Sequence, residues 1–148
     1  MDRSPPGGSG PPFVHRQRVR YHEIDAQSHA YASRYLEFVD AALIEFVRHL
    51  GWDYEEAVEL GFDPAVVRAE IDFRRGARFD EVIEIAVRPL RLGRTSCDFG
   101  FEIDGPGGAR VADVVLVYAN FDVGTRATRE IPAIVRSRLE PLLPVEGG

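Results

Sequence analysis

One stretch constrains this chain more than any other. From Val19 to Leu50 it reads VRYHEIDAQSHAYASRYLEFVDAALIEFVRHL. Wound at about 100° per residue, its second half forms a helix. Tyr35, Leu36, Phe38, Val39, Ala42, Leu43, Phe46, Val47 and Leu50 then cover about half the circumference. Glu37, Asp40, Glu45 and Arg48 fall opposite, interrupted by Ala41 and Ile44. A surface helix carries an apolar stripe of about 100°. This one is wider, so the helix is expected to be wrapped rather than laid on a surface. Ser33 is placed to cap its start and Gly51 to stop it. Ahead of the helix, Phe13 to Tyr21 alternates loosely and reads as a strand, with Val19 and Tyr21 sharing a face. The loop between carries Asp25 and, four residues on, His29. A carboxylate beside the unpaired N–H groups of a helix start suits chemistry at a carbonyl.

After the helix, Asp53 to Gly61 predicts a short second helix, with Trp52 and Tyr54 as hinge packing or as the border of a ligand channel. From Pro64 the period shortens to two. Val67, Ala69, Ile71 and Phe73 alternate with Arg68, Glu70 and Asp72. Ile83, Ile85 and Val87 share one face of a further strand. Cys97, Phe99, Phe101 and Ile103 point inward on the next, with Ser96, Asp98, Glu102 and Asp104 outward. DGPGG at 104–108 predicts a hairpin turn. Val111 to Phe121 is apolar on both faces, which marks a central, doubly covered strand. A terminal helix is expected over Ala133 to Leu139, starting near Pro132.

One helix followed by four strands with tight links predicts an α+β domain built on an antiparallel sheet. The chain divides into an expected disordered tail at 1–12, a domain at 13–143 and a flexible tail at 144–148. Its formal charge of −6 argues against a nucleic-acid backbone as partner, and no apolar run of membrane-spanning length occurs. No signal peptide is visible, and a reducing, cytoplasmic compartment fits the single cysteine, Cys97. Neither a multi-cysteine zinc site nor a spaced histidine cluster is present in the sequence, so no metal is expected.

VRYHEIDAQSHAYASRYLEF resembles the N-terminal signature of hotdog-fold acyl-CoA thioesterases of the 4-hydroxybenzoyl-CoA thioesterase type. The matching residues are Asp25, Ser28-His29, Tyr31 and Arg34-Tyr35-Leu36. AEIDFRRGARFDEVIEI looks like that family's second strand, turn and third strand, and the likeness covers about residues 14–123. There are departures. Ser28 stands where the family often has Gly, Ala32 where it often has Asn, and Gly76 where it often has Pro. The resemblance implies a five-stranded antiparallel sheet wrapped around a long central helix. It implies hydrolysis of an acyl-CoA or acyl-carrier-protein thioester, with Asp25 as nucleophile or general base and the helix N-terminus, near the Ala32 amide, polarising the carbonyl. No cofactor is implied. Homodimers or tetramers are.

Each site residue also has a plainer reading. Asp25 suits an Asx turn. His29 suits a proton donor, a positioning group or a structural hydrogen bonder. Tyr31, Tyr35, Trp52, Phe62 and Tyr118 are the candidate walls of the acyl pocket. Arg74, Arg75 and Arg78 form a basic cluster that is either solvated or in contact with coenzyme A phosphates, and Arg91 and Arg94 are similar. Ser96 borders the site or packs at a strand edge. Glu37 and Asp40 read as a charged helix face, with a rival role as the working carboxylate. His15, His22 and His49 receive no role, and Cys97 reads as core. A non-catalytic acyl-binding or assembly protein on the same fold is the alternative from another class. A hotdog hydratase or dehydratase is the third reading.

Overall fold

The inward residues of three neighbouring strands meet one helix, and the rest of the chain is arranged around that contact. The structure, a computed structural model, describes residues 12–145. The expected N-terminal tail lies outside these residues except for Pro12, as do residues 146–148 of the C-terminal tail. In chain order come β1 (Phe13–Arg18), α1 (Arg34–Leu50), α2 (Tyr54–Leu60), β2 (Pro64–Phe73), β3 (Val82–Leu92), β4 (Ser96–Asp104), β5 (Arg110–Asp122), β6 (Ala127–Thr128) and α3 (Ala133–Leu139). The sheet runs β1-β3-β4-β5-β2, antiparallel throughout, and the two-residue β6 adds to β5.

The helices end where local chemistry requires. Gly51 closes α1 at φ 121°, a conformation that side chains rarely adopt. Asp53 and Glu56 form a reciprocal capping box at the start of α2. Ser33 occupies the N-cap position of α1, but its side chain caps nothing. α3 is tied back to α1: Arg138 Nη1 donates to the Leu50 carbonyl, and its guanidinium lies 5.3 Å from the centre of the Trp52 ring.

The core follows the expected faces. Ile83, Ile85, Val87, Cys97, Phe99, Phe101 and Ile103 are all buried, as are Tyr35, Phe38, Val39, Ala42, Leu43, Phe46 and Leu50 of α1. Phe46 meets Phe99 edge-on at 5.8 Å, and Phe99 meets Tyr118 of β5 in the same way at 5.8 Å.

Several expectations are corrected. The 64–73 strand does not pair with β3, its neighbour in sequence. It crosses to the far edge and pairs with β5, from Pro64↔Asn120 to Phe73↔Ala112. As an edge strand it buries neither face: Val66, Val67 and Phe73 are 49, 63 and 53% exposed. The first strand stops at Arg18, and a turn of 3-10 helix at Tyr21–Glu23 leaves Tyr21 exposed while Val19 is buried. Asp104 turns inward, because a register irregularity follows Ile103, and its carboxylate accepts from Arg110 Nε at 2.7 Å. β5 is central, but its second face is half-buried rather than covered. Within the single chain, Leu36 and Ile44 of α1 remain 39 and 37% exposed, so the helix is packed on one side rather than wrapped.

Asn120 was not anticipated at all. It is fully buried on β5. Its Oδ1 accepts from the Asp63 amide at 2.8 Å, and its Nδ2 faces the carbonyls of Gly61, Glu130 and Arg129 at 2.9, 3.1 and 3.3 Å. One side chain therefore pins the α2–β2 junction and the approach to α3. Asn120→Ala strands several buried groups and should cost about 3 kcal/mol or more. Urea unfolding checks this through a lower midpoint at constant slope. A loss below about 1 kcal/mol would mean that the junction holds without it.

Candidate active site

The loop from Arg20 to Ala30 is built by backbone bonds before any chemistry enters. The Tyr31 amide donates to the Glu23 carbonyl at 3.2 Å, and Ile24 bridges Ala30. Inside that bridge the Asp25 amide donates to the His29 carbonyl at 2.9 Å, and the Ser28 amide to the Asp25 carbonyl at 2.9 Å. Such a tight reversal forces Ser28 to φ 66°, the left-handed region. A glycine adopts that conformation freely, whereas a serine gives up about 1–2 kcal/mol.

The Asx turn expected of Asp25 is present: Oδ1 accepts from the Gln27 amide at 2.8 Å. Among the described residues Oδ2 has no hydrogen-bond partner, so half of the carboxylate stays available. The Ala32 amide, just ahead of α1, likewise makes no hydrogen bond among the described residues.

The other wall is the link from Arg74 to Glu81, which carries the chain from the β2 edge back to β3. It passes beneath the start of α1. Its Ala77 carbonyl accepts from the Ala30 amide at 2.7 Å, its Ala77 amide donates to the Tyr35 hydroxyl at 3.1 Å, and Arg78 bridges His29. The result is a cleft of about 390 Å³ that brings together Asp25, His29, Tyr31, Ala32, Arg74 and Arg75. Gln27, Ala30, Tyr35, Phe73 and Gly76 complete it.

The structure does not bring in the remaining candidates. The Arg78 side chain is not part of the cleft, although its amide donates to Glu81 Oε1 at 2.8 Å. Arg94 pairs with Glu130 at 2.7 Å and lines a separate hollow. The Ser96 hydroxyl accepts from Arg91 at 2.8 Å. Arg74 and Arg75 are themselves engaged, with Asp113 at 3.1 Å and Glu81 at 2.6 Å. Burial works to raise the Glu81 carboxyl, but hydrogen bonds from Arg75 and the Arg78 amide outweigh it and hold the group below its ordinary value. Glu37 is exposed and paired with Arg34 at 2.9 Å. Cys97 is buried, and burial, followed by the Asp98 charge, pushes its thiol up to about 12. It therefore stays a neutral thiol at neutral pH. Among the described residues no cluster of His, Cys, Asp and Glu could hold a metal ion.

A family model described as the thioesterase-like superfamily matches residues 19–139, from just after β1 to the end of α3. The chain belongs to the thioesterase-like superfamily. Its structure is similar to that of a hypothetical protein from Thermus thermophilus, with 28% identity and a TM-score of 0.80, covering 87% of this chain and 98% of that one. A 1,4-dihydroxy-2-naphthoyl-CoA thioesterase from Synechocystis shares the fold at 15% identity and a TM-score of 0.77, over 86% of this chain and 94% of that one. A hypothetical protein from Staphylococcus aureus, solved in complex with CoA, shares it at 13% identity and 0.80, over 93% and 89%. The expected hotdog fold and 4-hydroxybenzoyl-CoA thioesterase-like family are therefore correct for this chain.

Within this thioesterase-like domain, two cleft residues owe their place to contacts that the sequence does not show. Tyr35 was expected on the apolar helix face and as a candidate pocket wall, but its hydroxyl contact with the Ala77 amide depends on a link 42 residues away. Gly76 appeared as a departure without a reason. The structure supplies one: a Cβ at Gly76 would stand 2.5, 2.6 and 2.9 Å from Cγ, Cδ2 and Nδ1 of His29. The imidazole lies directly against the glycine backbone. Gly76→Ala must displace that ring. His29→Ala should then absorb the effect of Gly76→Ala on turnover, so that the double variant is no worse than His29→Ala alone. Additive losses would show that the two residues act separately.

Proposed function

We propose that this protein hydrolyses acyl-coenzyme A thioesters, with Asp25 as the working carboxylate. One observation carries the reading. In a chain of the thioesterase-like superfamily, a carboxylate oxygen and a backbone amide, both without partners among the described residues, share one cleft at a helix start. Attack on a thioester builds negative charge on the carbonyl oxygen, and the Ala32 amide is a donor already in place for it. Asp25 then acts either as the nucleophile or as a general base for water. In both cases the C–S bond breaks, the thiolate leaves and takes up a proton, and water supplies the oxygen and hydrogen of the released acid. Coenzyme A rather than an acyl-carrier protein is favoured by the CoA complex of the Staphylococcus aureus neighbour. That substrate implies action in the cytoplasm. No helix among the described residues is long and apolar enough to cross a membrane.

The assembly belongs to the same proposal. β2 is an open edge with Val66 and Val67 exposed, and Leu36 and Ile44 of α1 lack cover. Pairing of this edge across a two-fold axis extends the sheet and gives α1 its central, wrapped position, with the cleft near the boundary. The protein should be a homodimer, or a tetramer of such pairs. Light scattering that finds a monomer at micromolar concentration would count against it.

Asp25→Asn keeps the shape and the Asx turn but removes the carboxylate. Turnover should fall by about 10²-fold or more, with folding and acyl-CoA binding retained. Glu37→Gln is the control. Inactive Glu37→Gln beside active Asp25→Asn would move the chemistry onto the helix. Activity surviving in both would remove the working role from both carboxylates, whereas tight binding with no thiol released by the wild type would favour an acyl-binding protein.

A further inference from the structure

Beyond the cleft, α1, α2 and the start of β2 enclose a second pocket of about 260 Å³. Leu43, Val47 and Phe62 make its apolar walls, and Asp40, Asp63 and Tyr118 also line it. Asp63 is already engaged, because the Tyr54 hydroxyl lies 3.1 Å from its Oδ1.

Tyr118 is the unexplained group. It is 1% exposed, and its hydroxyl has no hydrogen-bond partner among the described residues. A buried hydroxyl surrenders its bond to water and is normally compensated inside the protein. Here the ring packs edge-on against Phe99 at 5.8 Å. Burial, followed by the charge of Asp40, raises the Tyr118 hydroxyl above its ordinary value, which keeps it a donor and places it within the field of Asp40. Asp40 is exposed as a residue, yet partial burial of its carboxyl raises it too.

The cleft opens just ahead of α1, and the pocket lies further along the same side of the helix. Ala32, Leu36, Asp40 and Ile44 recur every four residues. Ala32 lines the cleft, and Asp40 and Ile44 line the pocket. From Arg34, the first residue of α1, to Asp40 the helix rises roughly 9 Å, and Ala32 lies two residues ahead of it. We propose that the acyl chain of the substrate runs along this side of α1 and that the pocket receives its far end, selecting chains that carry a terminal hydroxyl. Tyr118 donates to that oxygen, and Asp40 accepts its proton. This rests on the thioesterase reading, in which the carbonyl sits at Ala32. A methyl end would leave Tyr118 unpaired. A terminal carboxylate would add a negative charge beside Asp40 and Asp63. A hydroxyl both accepts and donates, so the substrate class is a medium-length ω-hydroxyacyl thioester.

Octanoyl-CoA and ω-hydroxyoctanoyl-CoA test this on the wild type and on Tyr118→Phe, through thiol release and through calorimetric binding. The wild type should favour the hydroxylated substrate in kcat/KM by at least about 10-fold. Tyr118→Phe should bring the ratio close to unity. Its thermal midpoint should not fall, because the variant removes an oxygen that is unpaired in the free protein. Equal kcat/KM values in the wild type, or a preference that survives in Tyr118→Phe, would overturn the inference while leaving the hydrolase reading intact. A marked fall in the midpoint of Tyr118→Phe would also overturn it, since the hydroxyl would then serve the fold. If neither substrate releases thiol, the hydrolase reading fails and binding decides the pocket. Tighter binding of the hydroxylated ligand that is lost in Tyr118→Phe would uphold the pocket, and equal binding would overturn it.

Discussion

The packing of Phe46 onto Phe99, and of Phe99 onto Tyr118, is the contact on which the other features depend. It couples the middle of α1 to two adjacent central strands through edge-on rings. Each fully buried aromatic side chain of this kind contributes about 1.5–3 kcal/mol of burial. The specificity matters as much as the amount. Interlocked rings fix both the rotation of the helix about its axis and its height above the sheet. That places Ala32 and Tyr35 over the Arg74–Glu81 link at one end, and Asp40, Leu43 and Val47 over the α2–β2 junction at the other.

The cleft arises from chain crossing rather than from any one motif. β2 pairs with β5 at the far edge, so the chain must travel back to reach β3 beside β1. The returning link is seated by bonds to residues ahead of α1 and on its first turn: Ala77 to Ala30 and to Tyr35, and Arg78 to His29. Gly76 lies where the imidazole crosses the link. A residue of this link therefore acts on the site through position, without chemistry of its own.

The three acidic residues near α1 show how environment separates similar groups. Glu37 is solvated and paired with Arg34, which is the ordinary fate of a charged helix face. Asp40 is drawn partly out of water beside an unpaired hydroxyl. Asp25 gives one oxygen to its own turn and keeps the other for the cleft. That backbone bond does not compete with the role proposed for Asp25. It orients the group, so that little conformational freedom is left to lose when substrate binds.

The sequence by itself determined the local structure. Periods of 3.6 and 2 located α1 and the inward faces of β3 and β4, because burial of one face imposes the period of the element. Turn chemistry located Gly51, the 104–108 hairpin and α3, because few residues suit those backbone angles. The motif around Asp25 and His29 identified the family and most of the cleft, because that part of the site is contiguous in the chain. Tertiary structure decided what joins distant segments. The pairing of β2 with β5, the burial of Asn120 and Asp104, the contact of Gly76 with His29 and the orphaned Tyr118 hydroxyl all depend on partners far away in sequence. Periodicity carries no record of such partners, because it reports which face a residue takes and not what it meets there.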